Sequence, residues 1–216
     1  MTEQMLKRID ARFPLKELPC GEFAQQKVSG MKFQIRRFVA EGLGSVSEMK
    51  AAGFFGFMKM DTLIITPTEK DMPLYSYDRV LAMGNDTLIF ELYDTRLGDT
   101  DLSELGRVKE SYKELPDHDL GKHWYDDIKL AVSLSKKGKK GQSPAFDKCT
   151  LEYLNAYLSV AETASQCDAA QKREKASVYV EGLLSNGGPS TDVFKKGIGE
   201  EKTGELFRKV LFATKV

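Results

Sequence analysis

Four strand-like runs between Met31 and Asp94 constrain this chain more than any other feature. "MKFQIRRFV" sets Phe33, Ile35 and Arg37 on one face and Gln34, Arg36 and Phe38 on the other, because side chains alternate across a strand. "GFMKMDTLIITP" ends in a β-branched run that Pro67 stops, since proline has no amide hydrogen for a ladder. "SYDRVLAM" and "TLIFELYD" flank Gly84-Asn85-Asp86, and an Asn-Asp turn between them predicts a hairpin.

From Asp101 onward the spacing turns helical. "WYDDIKLAVSLSKK" places Ile128, Ala131, Val132 and Ser135 at helical intervals, and Pro144–Thr163 repeats the texture with Leu151, Leu154 and Leu158. "DAAQKREKASVYVEGLLSN" carries a stripe of Ala170, Val178 and Leu183 and stops at Asn-Gly-Gly. Ser190 or Thr191 can cap one or two final helices, which Gly199 interrupts. "SKKGKKGQSP" (Ser135–Pro144) reads as an exposed loop. Antiparallel strands followed by helices predict an α+β domain, a sheet with helices on its faces, over residues 1–216.

Composition removes several function classes. Lys+Arg and Asp+Glu both number 32, so no global field draws the chain to nucleic acid or to an anionic membrane. Cys20, Cys149 and Cys167 form no CxxC pair, which argues against a disulfide framework or a zinc site and fits a reducing cytoplasm. No apolar run approaches the length of a membrane span, and the N-terminus has no secretory h-region.

Most motifs also fail. No GxGxxG follows a strand. In Gly197–Gly204 ("GIGEEKTG") Glu201 sits where a phosphate loop needs glycine, and two carboxylates there repel phosphate. His118 and His123 lie in a charged, loop-like segment and read as surface histidines, with no metal site. Phe54, Phe55 and Phe57 read either as core or as the lining of a flat aromatic ligand.

Three segments carry a resemblance. "DMPLYSYDRV" (Asp71–Val80) resembles a segment of the ferredoxin-dependent bilin reductases of the general form Asp-x-Pro-x-x-Gly-x-Asp-Leu-Val. "VFKKGIGEEKTGELFRKVLF" (Val193–Phe212) is similar to the C-terminal pattern of that family. "RRFVAE" (Arg36–Glu41) resembles a strand of the family that carries a substrate-facing glutamate. The three stand in family order.

The resemblance implies a three-layer α/β/α sandwich with a central antiparallel sheet, holding an open-chain tetrapyrrole between the sheet and the C-terminal helices. It implies no bound metal or flavin. Electrons come singly from reduced ferredoxin or flavodoxin, and protein carboxyls supply protons. Asp78 falls on the position of the family's catalytic aspartate; its other reading is a turn residue. Glu41 falls on the substrate-facing glutamate, or else is a strand-end surface acid. Arg36 or Arg37 can meet a propionate as a bidentate partner, although surface placement is the default for both. Ser190, at a helix N-terminus after "NGG", suits the same carboxylate.

The sequence also departs from the family. Thr62 stands where several members place a histidine, which points to two-electron chemistry or a different tetrapyrrole. Gly187, Gly188 and Pro189 stand where some members carry an Asn-Asp pair, so Asn186 or Asp192 fills that role only if the loop is reshaped. The stretch Gly42–Phe57 reads as a lengthened loop. "KKGKK" (Lys136–Lys140) is either a solvated tip or a docking patch for an acidic ferredoxin or flavodoxin. Two functions follow: a reductase of a biliverdin-like bilin, or a non-catalytic binder of a linear tetrapyrrole or haem catabolite.

Overall fold

The structure, a computed structural model, describes residues 1–53 and 56–215. Its centre is an antiparallel sheet of eight strands: β1 (Leu15–Leu18), β2 (Gln25–Val28), β3 (Met31–Ala40), β4 (Gly44–Gly53), β5 (Met58–Pro67), β6 (Leu74–Ala82), β7 (Asn85–Tyr93) and β8 (Leu134–Lys139). The order is β1-β3-β4-β5-β6-β7-β8, and β2 pairs with the other half of β3.

Alternation assigns each face to its own helical layer. Phe38, Leu63, Ile65, Tyr75, Tyr77 and Phe90 pack with α1 (Thr2–Asp10), α2 (Ser103–Ser111) and α3 (Ser143–Thr163), which contributes Phe146, Tyr153 and Tyr157. Phe33, Ile35, Met49, Ile64 and Tyr93 face α4 (Ala169–Asn186), α5 (Pro189–Ile198), α6 (Glu200–Glu205) and a π-helical continuation, Leu206–Leu211. The fold is therefore the expected α/β/α sandwich. Each fully buried large side chain contributes about 1.5–3 kcal/mol, and Tyr75, Tyr153, Tyr157, Phe90 and Phe146 concentrate that term on the first face.

Several local expectations are corrected. The hairpin turn is Met83-Gly84, whose φ values of 50° and 75° make a two-residue turn with both residues left-handed. Asn85 and Asp86 instead begin β7, where buried Asp86 pairs bidentately with Arg79 and accepts from the Ser143 hydroxyl. Residues 44–53 are not a lengthened loop but a central strand between β3 and β5. Gly44 permits the entry to that strand: a Cβ there would lie 2.4 Å from the Thr66 carbonyl oxygen.

Residues 124–137 form no α-helix. A short 3-10 turn (Asp126–Ile128) leads to β8, because Leu134 and Lys136 are both buried at strand spacing. "KKGKK" is thus mostly an edge strand. Lys136 is buried and donates to the Leu115 carbonyl (2.9 Å) and the Asp117 carboxylate (2.6 Å), which leaves Lys137, Lys139 and Lys140 exposed.

In α4 the buried stripe is Lys172, Ala176, Tyr179, Val180 and Leu183, while Ala170 and Val178 are exposed. Lys172 in that stripe donates to the Met72 and Thr95 carbonyls, both at 2.6 Å, and faces Asp71 at 3.4 Å. An apolar-stripe reading passes over such a residue because its partners are backbone atoms from distant segments. Phe57 is exposed, and Phe54 and Phe55 lie outside the described residues. Among the described residues no helix is long and apolar enough to cross a membrane.

Candidate functional site

A cavity of about 230 Å³ opens between the sheet and the α4–α6 layer. Strand register builds its floor. One row runs Met49–Thr62–Asp78–Ile89 across β4, β5, β6 and β7, and the neighbouring row runs Ser47–Ile64–Ser76–Glu91. Tyr179 and Leu183 of α4, the α5 entry at Gly188, Ser190 and Thr191, and Phe207, Leu211 and Phe212 wall the helical side. Leu120, His123 and Tyr125 close it from the β7–β8 connection.

Asp78 holds the middle of the floor. Its position on β6 turns it away from Tyr75 and Tyr77 and toward the cavity. Burial among apolar walls disfavours the charged carboxylate and pushes its pKa up to about 6, against a hydrogen bond from Thr62. That bond, Thr62 Oγ1 to Asp78 Oδ1, is 2.5 Å long and joins residues paired across β5 and β6. The negative charge of Glu91 raises the value further, and a bond with Ser76 lowers it. Asp78 is therefore a half-buried carboxyl that exchanges its proton near neutral pH.

Glu91 is the second carboxylate of the floor. Its Oε2 accepts from the Tyr93 hydroxyl at 2.7 Å, and its Oε1 faces the Lys129 ammonium at 3.6 Å. Lys129 also binds Asp126 at 2.7 Å. Tyr93 stacks on Tyr179 with centroids 4.0 Å apart, and Tyr125 meets Tyr93 edge-on at 5.5 Å. Burial pushes the phenols of Tyr93, Tyr125 and Tyr179 up, so each remains a neutral O–H. The arrangement offers an aromatic-walled, largely apolar cavity with a titrating acid on its floor.

The residues singled out from sequence divide sharply. Asp78, Thr62 and Ser190 line the cavity. Arg36 does not: it lies on the other face of the sheet, bound to Glu17 at 2.9 Å and close to Glu3 and Glu48. Arg37 faces the correct side but donates to the Pro19 and Lys209 carbonyls (3.1 and 2.7 Å), pinning the C-terminal helix. Glu41 is exposed in the β3–β4 turn, where its backbone N–H meets the Pro14 carbonyl. Asn186, the last residue of α4, and Asp192 are both exposed and outside the cavity lining. Gly187, with φ 83°, ends α4 in a conformation glycine adopts without strain, and the Asp192 carboxylate folds against it.

Sequence reasoning passed over Glu91, Tyr93, Tyr125 and Tyr179, and read His123 as a surface histidine. Glu91 and Tyr93 share a face with Ile89, a period-two pattern legible in "TLIFELYD" once β7 is placed beside β6. His123 is not a plain surface histidine, because its ring is half-buried against the cavity and stacks on Tyr125. No local pattern announces it, since an irregular connection brings it there. Among the described residues no His, Cys, Asp and Glu cluster is arranged to hold a metal.

No family model matches the sequence, and no curated protein matches it. The structure is similar to that of phytochromobilin synthase from tomato in complex with biliverdin, with a TM-score of 0.79 at 14% identity. The likeness covers 99% of this chain and 82% of that one. At this identity it establishes the shared fold, which is the fold implied by the Asp71–Val80 and Val193–Phe212 resemblance.

Proposed function

We propose that this protein reduces a linear tetrapyrrole of the biliverdin kind, taking electrons singly from reduced ferredoxin or flavodoxin, with Asp78 as a proton donor. The observation that carries this reading is the Asp78 carboxyl, titrating near 6 on the floor of an aromatic-walled cavity. The fold, shared with a bilin reductase solved with biliverdin, supports it.

The chemistry asks little of the chain beyond placement and protons. The Asp78 O–H bond breaks as an N–H bond forms on a pyrrole-type nitrogen of the ligand. The resulting cation accepts an electron more readily than the neutral ligand. The first electron turns that cation into a neutral radical, Asp78 regains a proton from solvent, and it donates this second proton as the second electron arrives, which completes the two-electron reduction. A general acid works best with a pKa close to the operating pH. Thr62 holds the carboxylate oxygen in place through the cycle. The phenols keep the slot apolar, which strengthens each charge interaction inside it. The donors at the α5 entry, Ser190 and Thr191, suit a propionate at a helix N-terminus. With Thr62 on the floor and no imidazole beside Asp78 on the sheet, two-electron reduction is the favoured outcome.

Lys137, Lys139 and Lys140 provide a small basic edge suited to an acidic electron donor. The second reading, a non-catalytic tetrapyrrole binder, draws on the exposed positions of Glu41, Asn186 and Asp192, which leave Asp78 and Glu91 as the carboxyls of the cavity lining. Biliverdin titration followed by anaerobic addition of reduced ferredoxin separates the readings. A reductase shows a shifted bilin spectrum that then bleaches to a new product. A binder shows the first change alone, and absence of both removes both readings.

A further inference from the structure

His123 lines the cavity from the β7–β8 connection, and its ring is fixed from several sides. It stacks almost flat on Tyr125, with centroids 4.8 Å apart and planes 5° from parallel. Its backbone N–H donates to the Asp126 carboxylate at 2.9 Å. The next residue clamps the segment to α4: the Trp124 indole N–H donates to the Gly187 carbonyl at 3.2 Å. The indole also lies so close to Gly182 that a Cβ there would come within 2.2 Å of it. Tyr125 meets Tyr93 and Tyr179 edge-on, which ties the histidine wall to the sheet and to α4. A ring held in this way on an irregular segment is organised in advance of any ligand.

The two ring nitrogens are not equivalent. Nδ1 is buried with no hydrogen-bond partner, whereas Nε2 is not sealed and has no partner among the described residues. Buried polar atoms in native proteins are nearly always paired, and a bare one calls for a reason. An N–H at Nδ1 would have no acceptor. A hydrogen on Nε2 leaves the ring's donor where an incoming group can reach it. The polar groups of the floor are Thr62, Ser76, Asp78 and Glu91, and His123 adds a donor to the same cavity from the β7–β8 wall.

We propose that His123 is a substrate-contacting residue whose Nε2–H donates to a terminal lactam carbonyl oxygen of the bound linear tetrapyrrole. The inference rests on the proposed function and assigns one end of the ligand to the Leu120–Tyr125 wall. A tetrapyrrole carries a carbonyl at each end, and such an oxygen accepts one N–H well within an apolar slot. The contact fixes which ring lies over Asp78 and therefore which nitrogen is protonated.

Two measurements test it. Biliverdin affinity is compared by absorbance titration for the wild type, His123→Phe and His123→Gln. The phenylalanine keeps the stack and loses the donor; the glutamine returns an N–H at similar reach. We expect about tenfold weaker binding for His123→Phe, the scale of one buried hydrogen bond, with His123→Gln within about threefold of wild type on the same scale. In the wild type, nitrogen-15 NMR of the imidazoles, of which the chain has two, follows the same event without a variant. Biliverdin is expected to shift the His123 resonances with the hydrogen on Nε2 and to leave those of His118 in place. Equal affinity for all three proteins, equal loss in both variants, or a His123 resonance unmoved by bound biliverdin overturns the inference alone. A wild type that binds no biliverdin overturns the proposed function and this contact with it.

Discussion

Thr62 donates its hydroxyl hydrogen to Asp78 at 2.5 Å, across directly paired positions of β5 and β6. The bond stabilises the ionised carboxylate, while burial and the Glu91 charge favour the protonated acid. These influences act in opposite directions and can be separated by substitution. Thr62→Val removes the donor and should move the alkaline limb of the turnover–pH profile upward. Glu91→Gln removes the negative neighbour and should move it downward. Shifts of the same sign would show that the limb belongs to another group.

The same carboxyl governs stability. Its pKa in the folded protein, about 6, lies above the ordinary value of 3.8, so the folded state binds this proton more tightly than the unfolded one. Stability contributed by this group is therefore greatest below pH 4 and falls as pH rises toward and through 6, by roughly 2–3 kcal/mol in total. Asp78→Asn removes the penalty. Thermal melts should show the variant more stable than wild type at pH 7.5 and nearly equal to it at pH 4, and the reverse order would refute the assignment.

The buried pair Arg79–Asp86 links β6 and β7 on the opposite face of the sheet, with Arg79 over the Phe146 ring at 5.2 Å. Removing one partner leaves a charge in the core. Asp86→Ala should cost about 3–5 kcal/mol in urea unfolding. A loss under 1 kcal/mol would mean that water or Asp147, whose carboxylate lies 3.4 Å from Arg79, compensates the charge.

How much of this was visible in the sequence depended on how local each cause was. β3, β5, β6 and β7 follow from alternation and from Pro67, and the position of Asp78 follows from the parity of β6. The four-residue strands β1 and β2 are too short to show a period. β8 was concealed because a buried lysine, Lys136, occupies what looks like a charged loop. Arg36 is a candidate by residue type, and Glu41, Asn186 and Asp192 by the family resemblance, yet which face or turn each occupies is decided by register and by where each element ends. His123 and Tyr125 reach the cavity through an irregular connection, and no spacing encodes that.

The basic edge gives a kinetic prediction. Replacing Lys137, Lys139 and Lys140 with Gln should slow ferredoxin-driven turnover at low salt and leave biliverdin affinity unchanged. The difference should shrink at high salt, as the Debye length falls from roughly 10 Å at 0.1 M to roughly 3 Å at 1 M. Wild-type rates at low salt would place the electron donor elsewhere.

The proton role of Asp78 is tested most directly by anaerobic spectroscopy of Asp78→Asn loaded with biliverdin and supplied with reduced ferredoxin. The isosteric variant keeps the cavity shape and can still accept from Thr62. The account predicts a bound-bilin spectrum close to that of wild type and product formation slowed at least about 100-fold, the lower range for loss of a general acid. Product formation at the wild-type rate would contradict it.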